Sequence, residues 1–215
     1  MTIAEYIESH SSPENEALAQ ITHHTNVNVL NPHMLSGQVQ GRVLAFLSKM
    51  IRPTHILELG TFTGYSALCL AEGLTDDDGE LITIEHNDEL EDIIRQNLSL
   101  SPLGTKIRLV IADAKEWLSN FSKSNPEPLY DMVFIDADKR EYTDYFKLVF
   151  PLVRTGGWIL ADNTLWDGHI IDPNYDRDKQ TLGLRDFNDF IAMHPNLEEV
   201  ILPLRDGLTL IHKLR

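Results

Sequence analysis

The segment HILELGTFTGYSALCLAE, residues 55–72, decides the fold class of this chain. Its first five residues form a short apolar strand candidate that ends at Gly60, and residues 65–72 are compatible with a helix. A glycine directly after a strand lets the backbone turn and approach a ligand closely. The segment therefore predicts a strand, a tight loop and a helix, which is the repeating unit of an α/β sheet.

The same alternation continues along the chain. Further strands are predicted at residues 81–85, 107–111, 132–135, 158–161, 199–204 and 208–213. Strands that alternate with helices indicate a parallel sheet with helices on both faces, a doubly wound α/β fold. The last two strands are joined by a tight turn and must be antiparallel to each other. We predict a mostly parallel sheet with one reversed strand near its edge.

The composition is that of a single globular domain, which we assign to residues 1–215, with 42% hydrophobic residues. The net charge of −15 disfavours a nucleic acid as partner, because an acidic surface repels phosphates. The one cysteine, Cys69, lies in an apolar stretch and is expected in the core. No run approaches a membrane span, and the polar N-terminus lacks signal-peptide features, so we expect a cytoplasmic protein.

Two polar segments flank the predicted sheet. Residues 1–33 are predicted to be helical with a break at residues 11–13, and His23 and His24 are expected on the surface. Ser36 is a candidate cap for the helix that follows. Residues 167–183 are predicted to form a long polar loop, and loops of this length are often functional.

The loop after the first strand, ELGTFTGYS at residues 58–66, indicates a nucleotide-like cofactor. A dinucleotide fingerprint would need glycine at the positions of Phe62 and Tyr65, so a pyrophosphate is disfavoured there. Ser66 is expected where the next helix begins, a place that favours an anionic group. Glu85 ends the second strand, where a carboxylate can accept hydrogen bonds from both ribose hydroxyls. Asp113 ends the third strand, before Ala114, and is either an adenine contact or a helix cap.

A second polar set follows the fourth and fifth strands. Asp136 ends the fourth strand, Lys139 lies three residues later, and Asp162 and Asn163 end the fifth. These strand ends should lie side by side, so carboxylate and amide oxygens would meet at one point and suit a hard cation such as Mg²⁺. A lysine beside a cation can act as a base. The alternative is that both aspartates are helix caps and Lys139 is a solvated charge.

At these motifs the chain resembles the cation-dependent O-methyltransferase family that includes catechol and caffeoyl-CoA O-methyltransferases. The resemblance runs from about Met34 to the C-terminus and rests on MLSG at 34–37, residues 58–66, FIDADK at 134–139 and DNTLW at 162–166. Arg42 stands where many members have glutamine. The resemblance implies a seven-stranded Rossmann-like methyltransferase sheet, and residues 1–33 on the side of the methyl acceptor.

The resemblance also implies the site residues. It places S-adenosylmethionine against Met34, Ser36, Glu58, Gly60, Phe62, Gly64, Ser66, Glu85, Asp113, Ala114 and Asp136. It places Mg²⁺, or another divalent cation such as Mn²⁺ or Ca²⁺, on Asp136, Asp162 and Asn163, with Lys139 as base and Asp136 as its catalytic partner. Family members are often homodimers.

These inferences predict an O-methyltransferase that acts on a catechol-type small molecule, a vicinal dihydroxy aromatic. Three alternatives stay open. The chain could methylate a hydroxylated nucleoside in tRNA, which the net charge disfavours. It could bind S-adenosylmethionine without catalysis, which the set of Asp136, Lys139 and Asp162 disfavours. It could be a nucleotide-dependent oxidoreductase, which Phe62 and Tyr65 disfavour.

Overall fold

Seven strands build one sheet in the computed structural model, which describes residues 1–75, 78–125, 127 and 129–215. The strands are β1 (His55–Leu59), β2 (Glu80–Glu85), β3 (Ile107–Ile111), β4 (Tyr130–Ile135), β5 (Val153–Asp162), β6 (Leu197–Leu202) and β7 (Leu208–Lys213). The helices are α1 (Ile3–Ser9), α2 (Glu16–Asn28), α3 (Gly37–Ile51), α4 (Tyr65–Ala71), α5 (Glu91–Leu98), α6 (Ala114–Ser124), α7 (Tyr142–Val149) and α8 (Lys179–Ala192).

The strand order is β3-β2-β1-β4-β5-β7-β6, and β7 runs antiparallel to both of its neighbours. The pairs among β1 to β5 are parallel. This confirms the predicted seven-stranded sheet with one reversed strand near its edge. The chain starts in the middle at β1, winds outward to β3 and then returns to β4. The carboxyl ends of β1 and β4 therefore form the switch point at which such sheets bind ligands.

Helices cover both faces of the sheet, because its central strands bury apolar side chains on both faces. Leu57 and Leu59 of β1 belong to a core shared with α6, α7 and α8, whereas Ile56 belongs to a second core shared with α2, α3, α4 and α5. Successive residues of a strand point to opposite faces, so a strand that is buried on both sides is mostly apolar. Cys69 lies fully buried in the second core, as predicted.

The predicted loop at residues 167–183 is wrong in its last five residues, which belong to a helix. Asp178 accepts hydrogen bonds from the backbone N–H and the hydroxyl of Thr181 and so caps α8, which begins at Lys179. Gly183 lies inside this helix. A larger residue would not fit there, because a Cβ would stand 2.5 Å from the carbonyl oxygen of Lys139. Residues 166–171 and 173–175 form short 3₁₀ turns.

Several other boundaries differ from the prediction. Strand β5 begins at Val153, five residues earlier than predicted, and β6 spans Leu197–Leu202 rather than residues 199–204. The N-terminal helices and the break between them are confirmed. Within the described ranges, no helix is long and apolar enough to cross a membrane.

Candidate active site

The loop between β1 and α4 is folded against the end of β4. Gly60 has a φ of +93°, and a Cβ at this position would lie 2.1 Å from the carbonyl oxygen of Asp136. Gly64 has a φ of +87° and immediately precedes α4. Both positions require the left-handed backbone region, which glycine adopts without strain. The glycine loop of residues 60–64 is therefore set by a close backbone approach, as the sequence predicted.

Glu85 fixes this glycine loop to the end of β2. Its Oε2 atom accepts a hydrogen bond of 2.8 Å from the backbone N–H of Phe62, and its Oε1 atom accepts one of 2.8 Å from that of Asn87. The side chain is largely buried. Each carboxylate oxygen keeps a further lone pair, so Glu85 can also accept hydrogen bonds from the hydroxyls of a ligand. Phe62 itself has a φ of +52°, which is unusual for an aromatic residue.

Glu58 lies beneath the glycine loop and is fully buried. Its Oε2 atom accepts a hydrogen bond of 2.6 Å from the hydroxyl of Thr83, while Oε1 has no partner among the described residues. Burial raises the pKa of Glu58 to about 8, although the hydrogen bond from the Thr83 hydroxyl opposes the shift. A buried polar atom without a partner is a candidate contact for a bound group or water.

The remaining predicted cofactor residues have mixed surroundings. Asp113 accepts a hydrogen bond from the backbone N–H of Glu116 and caps α6, which Ala114 begins. Ser66 is buried in the first turn of α4, as expected. Ser36 is buried at the N-cap position of α3, as predicted, but its hydroxyl makes no capping hydrogen bond in the described structure. Met34 is exposed.

The ends of β4 and β5 bring the predicted acidic residues together. Lys139 donates a hydrogen bond of 2.7 Å from Nζ to Oδ1 of Asp136. Burial opposes the positive charge of Lys139, but the nearby Asp136 carboxylate outweighs this and raises the pKa of Lys139. Asp162 is buried, and both burial and the charge of Asp136 raise the pKa of Asp162. Two carboxylates thus lie close enough to repel each other.

Asn163 occupies the turn directly after β5. It has a φ of +57°, and its backbone N–H donates a hydrogen bond of 2.8 Å to Oδ1 of Asp162. Its side-chain nitrogen lies 3.5 Å from a carboxylate oxygen of Asp206, which leaves the amide oxygen for another partner. In the described parts of the chain, no three or more His, Cys, Asp or Glu side chains are grouped closely enough to hold a metal ion by themselves. The candidate donor set is therefore two carboxylates and one amide.

Three residues of this region were missed by sequence reasoning. Gln40, buried in α3, donates a hydrogen bond of 2.5 Å from Nε2 to Oδ2 of Asp162. The buried hydroxyl of Tyr142 donates to the carbonyl oxygen of Asp162 at 3.0 Å. Arg205, in the turn between β6 and β7, donates to the carbonyl oxygens of Leu35 and Ser36. The only sequence signal was that Gln40 is a polar residue in an amphipathic helix.

The chain is similar to known proteins in family, sequence and structure. The family model described as O-methyltransferase matches residues 8–214. The caffeoyl-CoA O-methyltransferase of Eucalyptus gunnii is 32% identical over 187 residues, covering 85% of this chain and 75% of that protein.

Two solved structures share this fold. An O-methyltransferase from Bacillus cereus in complex with SAH has a TM-score of 0.88 at 28% identity, covering 97% of this chain and 96% of its own. The O-methyltransferase TomG from Streptomyces achromogenes, in complex with SAM, has a TM-score of 0.88 at 27% identity, with both chains fully covered. With a family match over nearly its whole length and this glycine loop and pair of strand ends, the chain belongs to the O-methyltransferase family.

Proposed function

We propose that this enzyme is an S-adenosylmethionine-dependent and divalent-metal-dependent O-methyltransferase of catechol-type small molecules. One observation carries the proposal: Asp136, Asp162 and Asn163 lie at the adjoining ends of β4 and β5, directly beside the glycine loop that follows β1. A donor set for a hard cation and a loop for a nucleoside therefore share one edge of the sheet.

The cofactor half of the proposal is supported by the contacts of Glu85 and Gly60. Glu85 is held by two backbone N–H groups and retains lone pairs for the two hydroxyls of a ribose. Gly60 places the loop backbone against the end of β4, so that a ligand bound beside the loop would also lie close to Asp136. The related structures in complex with SAH and SAM support the same cofactor.

The metal half is supported by the chemistry of the donor set. Carboxylate and amide oxygens without thiolate or imidazole suit Mg²⁺, Mn²⁺ or Ca²⁺ better than a soft metal. The mutual repulsion of Asp136 and Asp162 is relieved by a positive charge between them. A divalent cation held by Asp136, Asp162 and Asn163 would lower the pKa of an acceptor hydroxyl and fix its position.

The chain's own residues supply the remaining steps. Lys139 lies 2.7 Å from Asp136 and is charged in that pair; a bound divalent cation would lower the pKa of Lys139, and its neutral Nζ would then receive the proton of the acceptor hydroxyl. Gln40 and Tyr142 hold the side chain and the main chain of Asp162, respectively, so that its carboxylate stays in place. Catalysis then rests on placing the acceptor oxygen in line with the methyl group of the sulfonium.

The acceptor class follows from the metal site. Two neighbouring hydroxyls on one ring can chelate a cation, whereas a single hydroxyl loses half of that hold. The net charge of −15 favours such a small molecule over a tRNA nucleoside, since phosphates would be repelled. The lysine and acidic residues at one point favour an active enzyme over a protein that only binds the cofactor. A cytoplasmic location is part of this proposal.

A homodimer is also part of the proposal. Val200 and Ile201 of β6 are exposed apolar side chains on the edge strand of the sheet. Exposed apolar edge strands are common association sites. We expect light scattering at micromolar concentration to give twice the monomer mass, and a monomer mass would contradict the dimer.

The experiment that tests the function measures methyl transfer from labelled S-adenosylmethionine to matched acceptors. We expect a vicinal dihydroxy aromatic to react at least about 100-fold faster than the monohydroxy compound of the same skeleton, because positioning is commonly worth that factor. An excess of chelator should abolish turnover, and added Mg²⁺ should restore it. Full activity in chelator, or equal rates on the two acceptors, would show that the metal assignment is wrong.

A further inference from the structure

We infer that the N-terminal helix α2 braces the glycine loop, and that Thr25 is a positioning residue that acts on the cofactor through Thr63. The inference rests on the proposed cofactor site. It states that a helix outside the β1–loop–α4 unit helps to hold the glycine loop in place. Residues 1–33 were predicted on the acceptor side from the family resemblance alone. The contacts of α2 attach it to the cofactor side as well.

The first contact is a buried pair of hydroxyl groups. Thr25 donates from Oγ1 to Oγ1 of Thr63 at 2.9 Å, and both side chains are fully buried. Thr63 lies between Phe62 and Gly64, which both have positive φ angles. For Phe62, which is not a glycine, such a conformation persists only where the surroundings hold it in place. A residue that fixes Thr63 therefore fixes the peptide groups on both sides of it.

The second contact holds the main chain of the same residue. Asn97, buried in α5, donates from Nδ2 to the carbonyl oxygen of Thr63 at 3.0 Å. The Oδ1 atom of Asn97 is 2.9 Å from Nδ1 of His24, the neighbour of Thr25 in α2. His24 is half-buried and hydrogen-bonded, so the prediction that it lies on the surface is wrong. Two adjacent residues of α2 support Thr63, one directly and one through Asn97.

A third contact joins the segment before α2 to the start of α4. Glu14 accepts a hydrogen bond of 2.7 Å from the hydroxyl of Tyr65, the first residue of α4, and one of 2.8 Å from that of Thr22 in α2. The N-terminal segment therefore contacts the glycine loop and the helix that follows it. Buried networks of this kind define one geometry when every member is satisfied.

The network predicts a specific effect of losing the Thr25 hydroxyl. A valine at this position has nearly the same shape, but it leaves the buried Thr63 hydroxyl without its donor. The loop would then have to compensate at the residue next to the Phe62 N–H that Glu85 binds. Cofactor affinity should fall, while the metal site at the ends of β4 and β5 should be unaffected.

The test measures the affinity of S-adenosylhomocysteine by calorimetry for the full-length wild type, Thr25→Val and Thr25→Ser. We expect about tenfold weaker binding for Thr25→Val, the loss of about one buried hydrogen bond. Thr25→Ser, which keeps the hydroxyl, should bind within about twofold of the wild type. In Thr25→Val the KM for S-adenosylmethionine should rise about tenfold, with kcat at saturating cofactor within about twofold.

Ser48→Ala is the matched control, since Ser48 is a buried hydroxyl that joins α3 to the Leu70 carbonyl of α4 at 2.6 Å without contacting the glycine loop. It should lower the Tm but leave ligand affinity unchanged. If Thr25→Val does not fold, His24→Ala should weaken binding about two- to threefold. The inference is overturned if folded Thr25→Val binds with unchanged affinity, or if Thr25→Ser loses as much affinity as Thr25→Val. Where Thr25→Val does not fold, unchanged affinity in His24→Ala overturns it. A wild type that binds no S-adenosylhomocysteine would overturn the proposed cofactor site itself.

Discussion

The two halves of the candidate site hold their carboxylates in different ways. In the cofactor half, at the ends of β1 and β2, Glu85 accepts hydrogen bonds from two backbone N–H groups, one of which belongs to Phe62 in the glycine loop. In the chemical half, at the ends of β4 and β5, the carboxylates of Asp136 and Asp162 repel each other. Each is held by a side chain, Asp136 by Lys139 and Asp162 by Gln40.

This difference suggests a division of labour. In the cofactor half, backbone N–H groups hold the Glu85 carboxylate before any ligand binds, so we expect this half to bind and orient the cofactor. In the chemical half the ammonium of Lys139 balances one of the two carboxylates, and a divalent cation would balance the other, so we expect its role to begin when such a cation is bound. Substitutions in the first half should therefore change affinity, and substitutions in the second should change turnover.

The largest effect is expected from Asp162→Ala. The variant removes one of two carboxylates from the proposed metal site, so turnover should fall by at least about 100-fold and should not recover with added Mg²⁺. Affinity for S-adenosylhomocysteine should stay within about twofold, because Asp162 makes none of the contacts of Glu85. Initial rates and calorimetry on the same preparation check both statements. A variant that loses cofactor binding instead would remove the division between the halves.

The next effect is a loss of stability at Gly60, where the glycine loop of the cofactor half contacts Asp136 of the chemical half. In Gly60→Ala the new Cβ would collide with the carbonyl oxygen of Asp136, at a φ of +93°. The left-handed strain and the overpacking together should cost about 2–5 kcal/mol in the free energy of unfolding. Urea denaturation measures this loss. Gly168→Ala is the control, because it has positive φ but no heavy atom within 4 Å. Equal losses in both variants would mean that the contact with β4 is unimportant.

A smaller effect is expected from Glu85→Ala. The loss of a charged hydrogen-bond acceptor should weaken binding of S-adenosylmethionine by about 1–3 kcal/mol, and NAD should bind measurably to neither protein. The response of residual turnover to Mg²⁺ should be unchanged, since Glu85 belongs to the other half. Calorimetry with both ligands checks the prediction. A preference for NAD would contradict the assignment of the cofactor.

The smallest effect is a pH dependence of stability in the protein without ligands. Glu58 has a pKa of about 8 when folded, against 4.5 as its ordinary value. Between these values the folded state keeps a proton that the unfolded state has lost, so stability falls as the pH rises. We expect a loss of at least about 1 kcal/mol from pH 5.5 to 8, and a flatter profile for Glu58→Gln. Equally steep profiles in both proteins would assign the dependence to other groups.

Local patterns in the sequence predicted the fold and the glycine loop. The strand ending at Gly60 and the aromatic residues at positions 62 and 65 lie within one short stretch, so their meaning does not depend on distant contacts. The adjacency of Asp136 and Asp162 was also predictable, since it follows from the order of parallel strands. The start of α8 was missed because its polar first turn resembles a loop until Asp178 is recognised as its cap.

The supports of the site were not predictable from local patterns. Gln40 and Asp162 are 122 residues apart, and Thr25 and Thr63 are 38 apart, so each pair meets only after the sheet and its helices have packed. Nothing in the amphipathic pattern of α3 distinguishes a buried glutamine from a solvated one. For Asp113, the structure shows the helix cap, and its contact with an adenine stays a prediction.

Arg205 has a consequence for the order in which the protein is assembled. Its guanidinium closes a contact with Leu35 across 170 residues, from the last turn of the chain to the segment before α3. During synthesis the N-terminal residues emerge first and must wait for the β6–β7 turn before this contact can form. Contacts of such wide separation are slow to close. We therefore expect this contact, and with it the position of the segment before α3, to form in the final stage of folding, after the central strands.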